Sequence, residues 1–356
     1  MGTEGQRDVE RLRCLVTGAS GYVGGRLVPE LLEAGHAVRC LARSPAKLRD
    51  HPWAGDAEVA EGDVLDAASV AEAMRGIDVA YYLVHALGSG SGFEETDRRA
   101  ARVFAEQAHA AGVRRIVYLG GLTPRGVREA ELSPHLRSRA EVGRIFLDGP
   151  VPATVLRAAV VIGSGSASFE MLRYLTERLP VMVTPSWVRT RTQPIGVRDV
   201  LRYLVGSAAM PADVDRAFDI GGPDVLTYRE MMRAYARVAG LRRRLIVPVP
   251  VLTPGLSSHW VGLVTPVPAS IARPWVSAQF RIDTHRHSEN ALSHHANLVE
   301  EIERAKAREH VALQAEPKRN HRDDHCDAND YAHRSQCRAQ FCFTKIAKRQ
   351  PKNVEK

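Results

Sequence analysis

The most informative residues lie in one short run, Thr17-Gly18-Ala19-Ser20-Gly21-Tyr22-Val23-Gly24, where a glycine recurs at every third position. That spacing suits a strand that turns sharply into a helix against a bound pyrophosphate. Gly18 permits the turn, Gly21 removes the Cβ that would hold the phosphates away, and Gly24 lets the helix sit close to the strand. The free N–H groups and positive dipole end of that helix then face the anion. A second group follows the next apolar run, in Cys40-Leu41-Ala42-Arg43-Ser44. A site selective for NAD would carry Asp or Glu here to accept hydrogen bonds from the adenosine ribose, and none is present. Arg43 and Ser44, with Lys47 or Arg49, suit a 2′-phosphate instead, so NADP(H) is the expected cofactor and NAD(H) the alternative. Asp63, in Gly62-Asp63-Val64, is placed to cap the following helix or to meet the adenine ring.

These residues need a scaffold that brings them to one edge. Between Leu12 and Ile220 short apolar runs alternate with amphipathic stretches, the pattern of parallel strands joined by helical crossovers. The runs are Leu12–Val16, Ala37–Ala42, Glu58–Glu61, Val79–Val84, Ile116–Leu119 and Thr154–Ala158, with weaker ones at Val181–Thr184 and Phe218–Ile220. Apolar strands of this kind are buried on both faces, so the fold class is α/β, a Rossmann-type doubly wound parallel sheet covered by helices. Tyr82 and His85, at the end of the fourth run, and Thr123, after the fifth, fall where such sheets place ligands. Pro29 lies inside the first helix and predicts a kink. From Ser164 onward the alternation weakens, with helices expected at Ser168–Arg178 and Tyr228–Ala239. With the Pro-rich segment from Pro248 to Pro274 these predict a small helix-rich C-terminal lobe and an apolar pocket wall. Arg189, Arg191 and Gln193 are its conspicuous polar groups.

Composition bounds the function classes. The net charge is +8, but the arginines are interspersed with acids along helices, which reads as solvated helix surface and not as a nucleic-acid interface. The N-terminus lacks an apolar leader, and prolines and charges interrupt every late apolar stretch, so neither export nor an integral membrane segment is expected. Peripheral contact with a membrane stays open, and the expected location is cytoplasmic. Cys14 and Cys40 fall in apolar strands as small core residues. After Asp283 the composition inverts: residues 284–356 hold all the asparagines, six of the seven lysines and none of the 28 glycines. His321, His325, Cys326, His333, Cys337 and Cys342 are potential ligands there, but their spacing matches no paired zinc pattern, so no metal is expected. The organisation read from the chain is an N-terminal extension over 1–11, a dinucleotide-binding core over 12–163, remaining sheet elements with the lobe over 164–283, and a disordered tail over 284–356.

The ordered motifs TGASGYVG, LARSP, EGDVLD, VAYYLVHAL, LRAAVVIG, QPIGVRDV and DIGGPDVLTYREM together resemble the extended, atypical branch of the short-chain dehydrogenase/reductase superfamily. Within that branch the sequence is similar to NmrA-like proteins, nucleoside-diphosphate-sugar epimerase-like proteins and the NADPH-binding accessory subunit of respiratory complex I. The resemblance implies that Gly18, Ser20, Gly21, Tyr22 and Val23 line the pyrophosphate, Arg43 the adenosine phosphate, and Asp63 and Val64 the adenine. It also implies that Leu83, Val84 and His85 border the nicotinamide ribose.

Catalytic members of that superfamily use a Tyr and a Lys four residues later, the lysine lowering the tyrosine pKa. Here Lys47 is the only lysine before residue 284, and His135 and Arg139 occupy the two slots. The serine expected after the fifth strand is replaced by Gly120-Gly121-Leu122-Thr123. Either His135 is a substitute acid beside a cofactor-binding Arg139, or both are exposed on a helix and no side chain moves a proton. The first reading gives an NADP(H)-dependent oxidoreductase, and the second is compatible with hydride transfer to a small apolar or quinone-like acceptor that takes its proton from solvent. A non-catalytic NADP(H)-binding redox sensor and an accessory subunit of a membrane complex are the alternatives.

Overall fold

The computed structural model describes residues 11–86, 92–124 and 126–249. The N-terminal extension, the tail with its histidines and cysteines, the domain boundary near 283 and the Pro-rich wall beyond residue 249 lie outside the described residues. In chain order the first elements are β1 (Arg13–Thr17), α1 (Gly24–Glu33), β2 (Ala37–Ala42), β3 (Glu58–Glu61), α2 (Ala67–Met74), β4 (Val79–Tyr82) and α3 (Phe93–Ala110). Next come β5 (Arg115–Gly121), α4 (Pro134–Leu147), β6 (Ala153–Ala158), β7 (Val161–Ile162), α5 (Ala167–Arg178) and β8 (Val181–Pro185). The last are β9 (Arg191–Thr192), β10 (Ile195–Gly196), α6 (Val197–Ala208), β11 (Arg216–Ile220), β12 (Leu226–Thr227), α7 (Tyr228–Val238) and β13 (Leu245–Val249).

Seven strands form one parallel sheet in the order β11-β6-β5-β4-β1-β2-β3. The chain therefore winds outward from β1 to β3 on one side and from β4 to β11 on the other. The crevice where the winding reverses lies between β1 and β4, the place where an open α/β sheet receives its ligand. Strand alternation fills both faces. Cys14, Val16, Val79, Tyr81, Val117 and Leu156 point to the face covered by α1 and α6. Leu15, Ala80, Tyr82, Tyr118 and Val155 point to the face covered by α2, α3 and α4. Cys14 and Cys40 are free thiols with no surface exposure, and burial pushes each up to about 12. They are core residues.

Helix α1 runs without interruption through Pro29. Proline has no N–H, so the Gly25 carbonyl one turn earlier loses its ordinary helical donor. Trp53, in the connection between β2 and β3, supplies the missing bond: its indole Nε1 donates to the Gly25 carbonyl at 2.9 Å. The indole is buried and stacks on His51 with ring centroids 4.6 Å apart.

The C-terminal lobe differs from expectation in one element. Val181–Thr184 reads as a further strand of the main sheet, but β8 pairs in parallel with β13 in a separate two-stranded sheet. Its outer residues are too open for the centre of a doubly covered sheet, with Val181 57% and Leu245 58% exposed. Beneath them Phe169, Leu172, Leu175, Met182, Met231 and Ile246 make a small core between α5 and α7. The capping box at Thr227 and Glu230 fixes the start of α7.

Candidate functional site

A cavity of about 370 Å³ opens at the C-terminal ends of β1, β4, β5 and β6. Its floor is the turn from β1 into α1. Gly18 adopts φ 75°, and a Cβ there would stand 2.6 Å from the Leu83 carbonyl, so only glycine brings this turn so close to the end of β4. A Cβ on Gly24 would stand 2.3 Å from the Gly18 carbonyl, which makes Gly24 the residue that seats α1 against the turn itself. Helix α1 starts at Val23 with no side-chain cap and no acid in its first turn. The Gly25 and Arg26 N–H groups already donate to the Gly21 and Val23 carbonyls, which leaves those of Tyr22, Val23 and Gly24 for an external anion. Gly21, Tyr22, Val23 and Gly24 all line the cavity, whereas Ser20 is exposed on the outer side of the turn. The cradle fits a dinucleotide's phosphates.

The residues expected on the adenosine side lie apart from this cavity. Residues Arg43 and Ser44 follow β2 and Asp63 and Val64 follow β3, which pair with Ala42 opposite Glu61. Arg43 is exposed, and the run Cys40 to Ser44 that ends β2 contains no acid. Asp63 does not cap α2, contrary to one of its two expected roles. Asp66 does, accepting from the N–H groups of Ala68 and Ser69, which also holds its carboxyl below the usual range. Asp63 Oδ1 instead accepts the Leu65 N–H at 3.0 Å and shapes the loop ahead of the helix.

At the other end of the cavity the structure brings together Leu83, Val84, His85, His135 and Arg139. The rings of His85 and His135 meet edge to face, with centroids 6.5 Å apart. His85 is an exposed residue at the cavity's rim, and desolvation, then Arg139, lowers its pKa to about 3. For His135 desolvation is again the larger cause, followed by Arg139 and His85, and its pKa falls to about 2. Both imidazoles are neutral at physiological pH. Arg139 is half-buried and donates to the Leu119 carbonyl at 3.3 Å, while its Nε is buried with no hydrogen-bond partner. Its neighbour Arg137 has a carboxylate, Glu94, at 2.8 Å, and Arg98 has Glu141 at 2.5 Å. The described cavity wall carries no carboxylate.

Asp97 of α3 ties this end together. One carboxyl oxygen accepts the Ala86 N–H at 2.7 Å, holding the segment that carries His85. The other accepts the Ser138 hydroxyl at 2.7 Å, holding α4 between His135 and Arg139.

His135 and Arg139 are not on an exposed helix face but half-buried at the cavity. Tyr82 faces the opposite side of the sheet, where its ring meets Phe104 and Phe146, because alternation along β4 sends it away from the cavity. Thr123 lies outside the cavity and Leu122 lines it. Gln193 is buried and donates to the Gly222 carbonyl at 2.6 Å, while Arg189 and Arg191 are exposed. The sequence reading missed the wall formed by Ala158 to Val161, Ser166, Ser168 and Thr192. Its signal was LRAAVVIG, which places Ala158 at the C-terminal end of a sheet strand.

A family model described as NAD(P)H-binding matches residues 18–145. The ceramide reductase of Caulobacter vibrioides is 30% identical over 264 residues, a match covering 70% of this chain and 78% of that protein. The chain belongs to the extended, atypical branch of the short-chain dehydrogenase/reductase superfamily. As a member of that branch it is an NAD(P)H-binding protein of oxidoreductase type. A 3 beta-hydroxysteroid dehydrogenase/Delta 5-->4-isomerase of Mycobacterium tuberculosis is 40% identical over 116 residues, which is 30% of this chain and 30% of the relative. The mitochondrial NADH dehydrogenase [ubiquinone] 1 alpha subcomplex subunit 9 of Arabidopsis thaliana is 25% identical over 261 residues, covering 70% of this chain and 64% of that one. Among solved structures, the Citrobacter sp. triphenylmethane reductase complexed with NADP(H) shares the fold at TM-score 0.60 and 18% identity, over 83% of this chain and 99% of that one. No helix among the described residues is long and apolar enough to cross a membrane.

Proposed function

We propose that this atypical reductase is an NADP(H)-dependent oxidoreductase, acting in the cytoplasm on a small apolar or quinone-like acceptor. The observation that carries the reading is the single cavity shared by the phosphate-binding turn and by the wall of Leu83, Val84, Leu122 and Val160. Gly18, Gly21, Tyr22, Val23 and the start of α1 would hold the pyrophosphate, Arg43 and Ser44 the 2′-phosphate, Asp63 and Val64 the adenine, and Leu83 to His85 the nicotinamide ribose. Bound there, the reduced nicotinamide supplies a hydride. The chain's own contribution is to hold the acceptor beside that ring and to exclude water from its apolar part. Neutral His85 and His135 are poor proton donors, so the product's proton comes from solvent. NADPH oxidation with a panel of quinones and apolar carbonyl compounds tests the reading. Turnover of at least one class supports it, and tight NADPH binding with no turnover across the panel contradicts it.

The second reading, a non-catalytic NADP(H)-binding sensor or an accessory subunit, draws support from His135 and Arg139 standing in place of the Tyr and Lys pair. The likeness to a respiratory-chain subunit adds to it. Copurification with a membrane complex, together with NADPH binding and no turnover, would favour this reading.

A further inference from the structure

We propose that Arg139 anchors an oxyanion of the acceptor-side ligand, so that the cavity takes molecules with an apolar body and a carboxylate, enolate or phenolate oxygen. This rests on the reading of the cavity as the acceptor site and names the chemistry of what enters it.

Arg139 sits half-buried in a wall that has no carboxylate among the described residues, with one long bond to the Leu119 carbonyl and a buried Nε that bonds to none of them. A cation removed from water needs a counter-ion or a full set of acceptors, and Arg137 and Arg98 close by both have theirs. The two imidazoles beside Arg139 can be neutral or cationic but never anionic, so neither can balance it. The compensating anion therefore arrives with a ligand.

The phosphates of the cofactor are badly placed to be that anion. They belong on the turn after β1, whereas Arg139 packs against the end of β5, and β4 lies between. Two interstrand spacings separate those strands, roughly 10 Å. A ribose hydroxyl of the cofactor, were it to reach that region, would bring no charge. Leu122, Leu136 and Val160 give the same cavity an apolar stretch of wall, which suits a hydrocarbon body behind the charged oxygen.

Octanoate and its neutral isostere octanamide are the probes, titrated by calorimetry into the full chain with and without saturating NADP⁺. Octanoate is expected to bind about tenfold or more tighter than octanamide, the advantage of a charge-assisted bond in a desolvated site. Arg139→Gln should abolish the preference, Arg139→Lys should keep part of it, and NADP⁺ affinity should stay within about threefold in both. Equal binding of the two probes, binding of neither, or a preference that survives Arg139→Gln overturns the proposal. A tenfold or greater loss of NADP⁺ affinity in Arg139→Gln, with the probe preference unchanged, assigns the guanidinium to the cofactor instead. Failure of the wild-type chain to bind NADP⁺ would refute the proposed function, while the titration without NADP⁺ still decides the role of Arg139.

Discussion

Replacing Asp97 tests whether the two histidines and Arg139 are held as a unit. Asp97 is 6% exposed and shares its carboxyl between two elements, with 2.7 Å to the Ala86 N–H and 2.7 Å to the Ser138 hydroxyl. In Asp97→Ala the buried Ser138 hydroxyl and the half-buried Ala86 N–H both lose this acceptor, at about 1–3 kcal/mol each. Water entering the gap offsets part of that, so the expected loss is about 3 kcal/mol, a large share of a domain's stability. Asp97→Asn keeps an oxygen for the Ala86 N–H, and its amide can donate to a rotated Ser138 hydroxyl, so about 1 kcal/mol is expected. Urea denaturation of the two variants measures the difference, and the Hε1 proton signals of His85 and His135 should shift strongly in Asp97→Ala. An alanine variant within about 0.5 kcal/mol of wild type, or an asparagine variant as damaged as the alanine one, would refute the reasoning.

Three further outcomes are expected. Arg43→Ala should weaken NADPH binding by about 1–3 kcal/mol and leave NADH nearly unchanged, as fluorescence titration would read; equal losses would remove Arg43 from the 2′-phosphate. Gly24→Ala places a methyl 2.3 Å from the Gly18 carbonyl, so it should cost about 2 kcal/mol or more of stability in thermal melts and at least tenfold in NADPH affinity. The lowered pKa of His135 makes stability fall with acidity: below about pH 6.5 the unfolded chain takes up a proton that the folded chain refuses until near its own, much lower value. The full slope is about 1.4 kcal/mol per pH unit, reduced by the ring's partial exposure, and His135→Asn should flatten the acid limb accordingly.

The turn, the helix it opens and the parallel strands were legible because each depends on local pattern: glycine spacing, apolar runs and a length that only a crossover helix satisfies. Arg43 and His85 could be placed at strand ends for the same reason. Tyr82 could not be placed from strand-end position alone, since its side of the sheet follows from the phase of alternation, which a fully apolar strand conceals. The capping role passed from Asp63 to Asp66 because both acids stand ahead of the same helix and only the loop's path separates them. Asp97 and Ser138 were silent, being 41 residues apart in sequence and joined by tertiary packing alone. β8 was assigned to the wrong sheet because its partner, β13, lies far along the chain and its apolar content matches that of a central strand.

The bond from Trp53 to the Gly25 carbonyl makes two positions answerable to each other across distant segments. Pro29 removes a donor from the helix proposed to face the phosphates, and a side chain from the connection after β2 restores it. Neither residue has a fixed worth by itself: an alanine at 29 would make the indole bond redundant, and a phenylalanine at 53 would make the proline harmful. Over evolutionary time the pair can change in only one comfortable order. The indole must be present before the proline is accepted and the proline lost before the indole is, so a lineage that has acquired both is ratcheted into keeping its β2–β3 connection folded against the cofactor helix.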